Sequence, residues 1–255
     1  MSATTILSCH QLRREFRGFT AVDGLDLQVA EGTIHALIGP NGAGKTTVFN
    51  LLTRFLPVSG GSIRLRDEDI TRLSAEQVVG RGLVRSFQIS AVFGHLSVLD
   101  NLRVALLARA GGVHRFWQSG RALNAFTDEA QVLLRDFALE GLASALAVSL
   151  PYGRKRALEL ATTLARNPQV LLLDEPTQGM GVEDVARTCE LIRRAAEGRT
   201  VLMVEHNLNV VASLADRITV LARGRRLAEG SYQEVAADPL VREAYLGHAS
   251  EVAHA

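Results

Sequence analysis

Several kinds of residue and segment are scarce in this chain, and each scarcity excludes a class of protein. Cys9 and Cys189 are the only cysteines in 255 residues, which is too few for a disulfide framework and favours a reducing compartment. The formal net charge is only +1, so the chain has no general electrostatic attraction to nucleic acid or anionic lipid, and only a local patch would bind either. No apolar run approaches the roughly 20 residues that span a bilayer, and no signal-peptide pattern precedes Arg13. We therefore expect an intracellular protein that reaches a membrane only through another chain.

Lysine is also scarce, and one of the two lysines lies in a motif. Lys45 and Lys155 are the only lysines, and all other basic residues are arginine. Lys45 belongs to a run with the pattern glycine, four residues, Gly-Lys-Thr, between an apolar strand pattern and a helical one. Glycines let backbone N–H groups surround phosphate oxygens, the lysine reaches the β- and γ-phosphates, and the threonine hydroxyl binds Mg²⁺. The motif predicts a phosphate-binding loop formed by Gly39, Pro40, Asn41, Gly42, Ala43, Gly44, Lys45 and Thr46.

A second motif carries carboxylates at the end of an apolar strand. Residues 170–173 are Val-Leu-Leu-Leu, and Asp174 and Glu175 follow directly. Alone, this pattern is more typical of a strand whose end is exposed to water. Beside a phosphate-binding loop, it predicts that Asp174 holds Mg²⁺ and that Glu175 orients and deprotonates the attacking water. The two motifs together predict a nucleotide hydrolase.

The order of patterns predicts an α/β fold with a helical insertion. Short strands are expected in the first 40 residues, where Leu25, Leu27 and Val29 alternate with polar residues. Helical spacing dominates from Ser97, where Asp100 completes a helix-start signal, and strand–helix alternation resumes after Pro168. Ser74 and Gln77 predict a capping box. An α/β body interrupted by helices fits this order.

Further motifs point to a known family. They are Ser86-Phe87-Gln88, Leu150-Pro151-Tyr152-Gly153 and Glu205-His206. With the two motifs above, their order and spacing resemble those of ATP-binding cassette (ABC) transporter ATPases over essentially the whole chain. Residues 39–50, 86–88, 150–159 and 244–247 resemble, more closely, the ATPase subunits of branched-chain (hydrophobic) amino-acid importers.

The resemblance implies a domain organisation for a single cassette of residues 1–255. It implies a P-loop ATPase core with an N-terminal antiparallel β subdomain in residues 1–96 and 165–230. It also implies an inserted α-helical subdomain with the signature motif in residues 97–164. Residues 231–255 are expected to be a C-terminal tail, and residues 111–126 have no assigned role.

The resemblance also implies roles for individual residues. Gln88 matches a glutamine that contacts Mg²⁺ and water, and His206 matches a histidine that contacts the γ-phosphate. Phe16 lies where the family stacks an aromatic ring on adenine, with Phe19 as a rival and a core position as the alternative. The implied catalytic residues are Glu175, His206 and Lys45, and the implied metal ligands are Thr46, Gln88 and Asp174. The implied nucleotide-binding residues are Phe16, 39–46 of the phosphate loop, Thr47, Gln88 and Gly153.

Two positions depart from the family pattern. The signature commonly begins Leu-Ser-Gly-Gly, and Pro151 here removes the serine hydroxyl that would touch ATP on an opposing subunit. Gly153 and the start of its helix remain an anion site. The segment after Glu175 has Gly181 where the family has Asp or Asn, so Glu183 or Asp184 would have to replace a contact between subunits. We therefore expect the composite site completed by this signature to be the weaker one.

The resemblance implies partners and leaves some of them open. A second ATPase subunit, either a paralogue or a copy of this chain, would pair head to tail with it around two ATP molecules. Two membrane permease subunits would bind a groove formed by residues 88–96, which include Gln88 and Phe93, at the cytoplasmic face of the inner membrane, with a solute-binding protein acting indirectly. The alternative is that this segment folds into the core of the cassette itself. No nucleic-acid partner is expected. The alternatives are a stand-alone ATPase acting on nucleic acid or ribosomes and a metabolic phosphotransferase.

Overall fold

The computed structural model describes residues 4–86, 92–111 and 123–251, with only the backbone described over 246–251. The chain divides into two compact units. The first comprises Met1–Arg85, Gln169–Pro176 and Ala196–Ala255, and the second comprises Ser86–Pro168 and Thr177–Ala195. The boundaries of these two units differ from those of the segments expected from the sequence.

An antiparallel sheet of four strands lies in the first unit, in the order β2-β1-β4-β5. Its strands are β1 (Thr5–Phe16), β2 (Phe19–Ala30), β4 (Gly60–Leu65) and β5 (Glu68–Asp69). The expectation of short strands is wrong for β1 and β2, which have 12 residues each. The pairing register of β1 and β2 shifts between Cys9 and Leu12 and again before Arg14. Such bulges let the two strands bend and stay paired where buried and exposed side chains no longer alternate regularly.

The second sheet has the strand order β10-β9-β3-β8-β7-β6. Its strands are β3 (Ile34–Ile38), β6 (Leu83–Ser86), β7 (Val170–Asp174), β8 (Thr200–Val204), β9 (Arg217–Ala222) and β10 (Arg225–Gly230). β8 lies parallel to β3 and β7, β9 lies parallel to β3, and β10 is antiparallel to β9. Every residue of β3, β7 and β8 is buried, which explains their nearly continuous apolar sequences.

The main α-helices of the described residues are α1 (Lys45–Leu52), α2 (Ala75–Gly80), α3 (Val98–Arg109), α4 (Thr127–Asp136), α5 (Tyr152–Leu164), α6 (Val182–Ala196), α7 (Leu208–Leu214), α8 (Tyr232–Ala237) and α9 (Pro239–Glu251). The predicted capping box is confirmed at α2, where Ser74 Oγ accepts from the Gln77 N–H and the Gln77 side chain accepts from the Ser74 N–H. The predicted helix start at Ser97 is confirmed as well, because its Oγ accepts from the Asp100 N–H at the beginning of α3.

The C-terminal segment contains more structure than a tail. Ser231 caps α8 in a second capping box with Glu234, and α9 follows after Asp238. The serine and the glutamate three residues later are the sequence signal for this helix start. Both helices belong to the first unit.

The second unit is helical. It contains α3, α4 and α5, and also almost all of α6, a segment that the sequence pattern assigned to the α/β core. The prediction of an α/β protein with an antiparallel β part and an inserted helical part is confirmed. In the part of the chain that the structure describes, no helix combines the length and the apolarity needed to cross a membrane.

Candidate nucleotide-binding and hydrolysis site

The predicted phosphate loop connects β3 to α1 in the first unit. Gly39 has φ +152°, and a Cβ atom there would lie 2.2 Å from the carbonyl oxygen of Leu221. Gly44 caps α1 with φ +99°, and a Cβ there would lie 2.5 Å from the carbonyl oxygen of Ala21. Any side chain would collide with rigid backbone, so the loop needs glycine at both positions.

Lys45 lies across this loop. Its Nζ donates to the carbonyl oxygens of Gly39 at 2.7 Å and Pro40 at 2.9 Å, and the residue is only 6% exposed. Burial lowers the pKa of Lys45, and the negative charges of Glu175 and Asp174 oppose this shift. The loop therefore holds a partly desolvated cation within electrostatic reach of two carboxylates, beside the N-terminus of α1.

The two predicted carboxylates lie where β7 ends. Asp174 is the last residue of β7 and is 2% exposed. Glu175 follows in the left-handed region with φ +46°, and its backbone N–H donates to the Val204 carbonyl at 2.9 Å. A non-glycine residue in this region costs about 1 to 3 kcal/mol and persists only where its surroundings impose it. The backbone thus turns the Glu175 side chain out of the strand direction at the edge where the carboxyl ends of β7 and β8 meet.

His206 reaches Glu175 from the neighbouring strand. β8 ends at Val204, and the buried carboxylate of Glu205 accepts from the backbone N–H groups of His206 at 2.8 Å and Asn207 at 3.1 Å. These bonds shape the turn that presents the imidazole. His206 Nε2 lies 2.6 Å from Glu175 Oε1, a hydrogen-bond distance. A carboxylate and an imidazole at this distance can orient a water molecule and share a proton.

The remaining predicted residues of the first unit have different surroundings. Thr46 and Thr47 lie in the first turn of α1, and Thr46 is exposed. Phe16 ends β1 and is 38% exposed, with the Arg14 guanidinium 4.6 Å from its ring centroid. This is not the core position considered as an alternative. Phe19, its partner across the hairpin, is more exposed at 65%.

Gln88 lies outside the described residues, so its predicted role stays a prediction. The neighbouring Phe93, in the second unit, is 57% exposed. Its backbone N–H donates to Asn101 Oδ1 at 2.8 Å, and Asn101 Nδ2 donates back to the Phe93 carbonyl. The backbone of Phe93 is thus held in place while its ring faces solvent.

The signature motif lies at the start of α5 in the second unit. Pro151 is the N-cap residue of α5. It makes no side-chain hydrogen bond to the helix, because proline has no hydroxyl to accept one. Gly153 lies in the first turn, where a Cβ would come within 2.9 Å of Asp184 Oδ1. The Tyr152 hydroxyl donates to the Gln178 carbonyl at 3.0 Å. Sequence reasoning assigned no role to Tyr152, although an aromatic residue in place of the usual glycine was a visible signal.

Two further residues of the first unit were missed. The Arg85 guanidinium, in β6, contacts both Asp174 Oδ2 and, at 2.6 Å, Asn50 Oδ1. Burial raises the pKa of Tyr245, in α9, to about 12, and a hydrogen bond from the backbone N–H of Gly39 opposes the rise. An arginine inside a short apolar strand was a usable signal for the first. Nothing local to the sequence links Tyr245 to a loop about 200 residues away.

The donor set fits a magnesium nucleotide. Mg²⁺ prefers hard oxygen ligands, and the Asp174 carboxylate and the exposed Thr46 hydroxyl are such groups. Phosphate groups suit the glycine-built loop, the cation at Lys45 and the N-terminus of α1.

A family model described as "ABC transporter" matches residues 22–178, which is more than half of the chain. The chain belongs to the ABC transporter ATPases. A second family model, described as "Branched-chain amino acid ATP-binding cassette transporter", matches residues 225–251. The resemblance inferred from the motifs is confirmed, and as an ABC ATPase the chain binds and hydrolyses ATP.

Curated relatives of this ABC ATPase match over nearly their full length. The high-affinity branched-chain amino acid transport ATP-binding protein LivG of Escherichia coli is 37% identical over 251 residues, covering 96% of this chain and 98% of LivG. The corresponding protein BraF of Pseudomonas aeruginosa is 37% identical over 254 residues with the same coverage. The lipopolysaccharide export system ATP-binding protein LptB of E. coli is 33% identical over 244 residues, covering 94% of this chain and 97% of LptB.

Solved ABC cassettes share the fold. A nucleotide-free ATP-binding cassette from an ABC transporter superimposes with a TM-score of 0.83 at 27% identity, covering 94% of this chain and 98% of that one. A cassette in an ADP conformation gives a TM-score of 0.82 at 28% identity, covering 95% and 99%. The predicted fold class is confirmed for the ABC ATPase.

Proposed function

We propose that this ABC ATPase is the ATP-hydrolysing subunit of an importer for branched-chain or other hydrophobic amino acids. The observation that carries the proposal is the full-length similarity to LivG and BraF at 37% identity. The match of residues 225–251 to the branched-chain amino acid cassette model supports it independently, because that model covers a different part of the chain from the general ABC model.

In this proposal the phosphate loop grips the triphosphate of ATP. Backbone N–H groups among residues 41–44 and the N-terminus of α1 would face the phosphate oxygens, with Thr47 contributing from the first turn. Lys45 would exchange its present bonds to two loop carbonyls for bonds to the β- and γ-phosphates. Phe16 would stack on adenine, for which its exposed ring is suited.

Hydrolysis is assigned to the pair at the ends of β7 and β8. Glu175 takes a proton from the attacking water, and His206 holds Glu175 in place and contacts the γ-phosphate. The 2.6 Å separation of His206 Nε2 and Glu175 Oε1 supports this division of roles. Thr46, Asp174 and Gln88 would hold Mg²⁺, which when bound offsets negative charge on the β- and γ-phosphate oxygens.

The proposal requires other chains. A second ATPase subunit, a copy or a paralogue, would supply its signature opposite the Lys45 site, and Gly153 of this chain would face the ATP of that partner. Two membrane permease subunits would hold the pair at the cytoplasmic face of the inner membrane, with exposed residues such as Phe93 beside their cytoplasmic loops. A solute-binding protein would act through those permeases, and no nucleic acid is involved.

The decisive experiment is reconstitution with the membrane permease subunits that bind this chain. Proteoliposomes containing the complex, supplied with internal ATP and the cognate binding protein, should accumulate labelled leucine, isoleucine or valine. A complex carrying Glu175→Gln is the control and should accumulate none. ATP hydrolysis without uptake of any of these amino acids would overturn the substrate assignment.

A second candidate follows from the similarity to LptB, which is named for lipopolysaccharide export. Import is favoured over export because the identity to LptB is lower than that to LivG and because residues 225–251 match the amino-acid cassette model. Co-purification with permeases that extract lipid, and lipid release in place of amino-acid uptake, would select the export candidate instead.

A further inference from the structure

Arg85 joins three elements of the ATPase site within the first unit. It lies in β6, its Nη2 contacts Asp174 Oδ2 at the end of β7, and its Nη1 donates to Asn50 Oδ1 on α1 at 2.6 Å. The Arg85 and Asp174 side chains are only 9% and 2% exposed. The guanidinium also lies 5.7 Å from the ring centroid of Phe49. A buried arginine thus connects the carboxylate assigned to Mg²⁺ with the helix that begins at the phosphate loop.

Stability alone does not account for such a pair. A buried ion pair loses about as much hydration energy as it gains from attraction, and an apolar replacement is often as stable. What a guanidinium adds is geometry, because its planar fork holds two acceptors at fixed angles, which a lysine ammonium does not. Here the two acceptors belong to different elements, α1 and β7, so the fork sets the position of one relative to the other.

We propose that Arg85 is a positioning residue for the Mg²⁺-binding carboxylate of Asp174. By holding Oδ2, the guanidinium fixes the rotation of the carboxylate relative to β6 and α1. Asn50 anchors the guanidinium to the phosphate-loop helix. The inference rests on the proposed Mg²⁺ role of Asp174 and adds the residue that orients this carboxylate.

Orientation matters for this carboxylate because Mg²⁺ demands near-ideal octahedral geometry of its ligands. The charges of Asp174 and Lys45 also influence each other, so the carboxylate lies in the field of a second cation. Without the Arg85 fork, the direction of the carboxylate relative to α1 would no longer be fixed. Loss of Arg85 should therefore reduce the gain in nucleotide affinity that Mg²⁺ provides. The nucleotide affinity measured without Mg²⁺ should change much less.

The test measures ATP affinity by calorimetry with Mg²⁺ and with EDTA, in the full chain and in variants. Outer-shell residues of metal sites typically contribute about 10- to 100-fold to metal affinity. In Arg85→Gln, the ratio of the ATP affinity with Mg²⁺ to the ATP affinity in EDTA should fall about tenfold. The ATP affinity in EDTA should itself change less than about twofold. Arg85→Lys keeps the charge but not the fork, and should lose an intermediate amount.

Arg81→Gln is the matched control, because it removes an arginine from an exposed ion pair with Glu68 in the same unit. It should change neither affinity. The inference would be overturned if Mg²⁺ raised the ATP affinity of both Arg85 variants as much as that of the unmodified protein. It would also be overturned if the variants lost ATP affinity equally with and without Mg²⁺. If the unmodified protein gains no affinity from Mg²⁺, the proposed metal role fails first, and the two failures are thereby distinguished.

Discussion

At the residue scale, the site depends on one carboxylate held in a costly backbone conformation. Glu175 sits at φ +46° immediately after a buried strand, and its N–H is bonded to Val204 of the adjacent strand. That bond and the contact with His206 Nε2 fix the direction of the side chain. The strain is thus located at the residue assigned to proton transfer, where a fixed orientation matters most.

Replacement of Glu175 by Gln should separate binding from chemistry. The amide keeps the shape of the side chain but does not accept a proton from water, so we expect turnover to fall by about 10² to 10⁴ with ATP affinity nearly unchanged. Phosphate release and equilibrium ATP binding measure the two effects. Glu190→Gln, on the exposed face of α6, is the control and should retain full turnover. Full turnover in Glu175→Gln would show that another group is the base.

At the scale of elements, the start of α5 is the least conventional part of the ATPase. Pro151 caps this helix without a side-chain bond, Gly153 leaves room for Asp184, and Tyr152 bonds the carbonyl of Gln178. The segment carrying Gln178 and the signature are thus held together inside the second unit. What is missing is a hydroxyl at the helix N-cap.

Pro151→Ser should strengthen the composite ATP site that this signature completes. A serine at the N-cap supplies a hydroxyl to the γ-phosphate of the opposing subunit, and we expect faster hydrolysis by the assembled transporter. Pro151→Ala removes the proline without adding the hydroxyl, and should leave the rate near that of the unmodified complex. The measurement is the steady-state ATPase rate of both variant complexes. An unchanged rate in Pro151→Ser would contradict the idea that this composite site is the weaker one.

The buried strand β3 contains a histidine that should make stability depend on pH. Burial lowers the pKa of His35 from 6.5 to about 4, and its Nε2 lies 2.8 Å from Thr219 Oγ1. As the pH falls from about 6.5 to about 4, the unfolded chain binds a proton that the native protein excludes. Native stability should therefore decrease over this window, by roughly 3 kcal/mol in total.

Urea unfolding at a series of pH values tests this. His35→Gln retains a hydrogen-bonding group toward Thr219 but does not bind a proton in this range. Between about pH 4 and 6.5, its free energy of unfolding should therefore depend less on pH, by the contribution of one proton. His95→Gln, at an exposed position, is the control for the loss of a histidine. The same slope in His35→Gln and the unmodified chain would refute the assignment.

At the scale of the whole molecule, the C-terminal helix α9 contacts the phosphate loop through Tyr245. The phenol oxygen of Tyr245 accepts from the backbone N–H of Gly39, the first glycine of that loop. Residues 225–251, which match the branched-chain amino acid cassette model, include this tyrosine. The helix therefore places a tyrosine beside the predicted phosphate loop.

Tyr245→Phe should loosen this link without changing the fold. Loss of one partly buried hydrogen bond costs about 1 kcal/mol, so we expect a small drop in the melting temperature and a modest loss of ATP affinity. Tyr232→Phe, on the adjacent α8, is the control for removal of a tyrosine hydroxyl. Thermal unfolding and ATP titration of both variants provide the comparison. A drop of the same size in Tyr232→Phe would mean that the bond to Gly39 has no special effect.

Local sequence predicted the elements whose chemistry is local. The glycines at 39 and 44, the apolar strand before Asp174 and the cap at Ser97 were all recognisable, because each depends on neighbours within a few residues. The C-terminal helices were missed although Ser231 and Glu234 carried a usable signal. The long strands β1 and β2 were underestimated because bulges interrupt the alternation that marks a strand.

The sequence by itself thus determined the ATPase motifs, the α/β class and the family, since these follow from residue type and spacing along the chain. Only the tertiary structure decided that Arg85 joins Asp174 to Asn50, that His206 meets Glu175 at 2.6 Å, and that Tyr245 reaches Gly39. The physical reason is sequence separation. These contacts form between elements tens to about two hundred residues apart, and the order of strands in the sheet, which no local pattern encodes, brings their ends together.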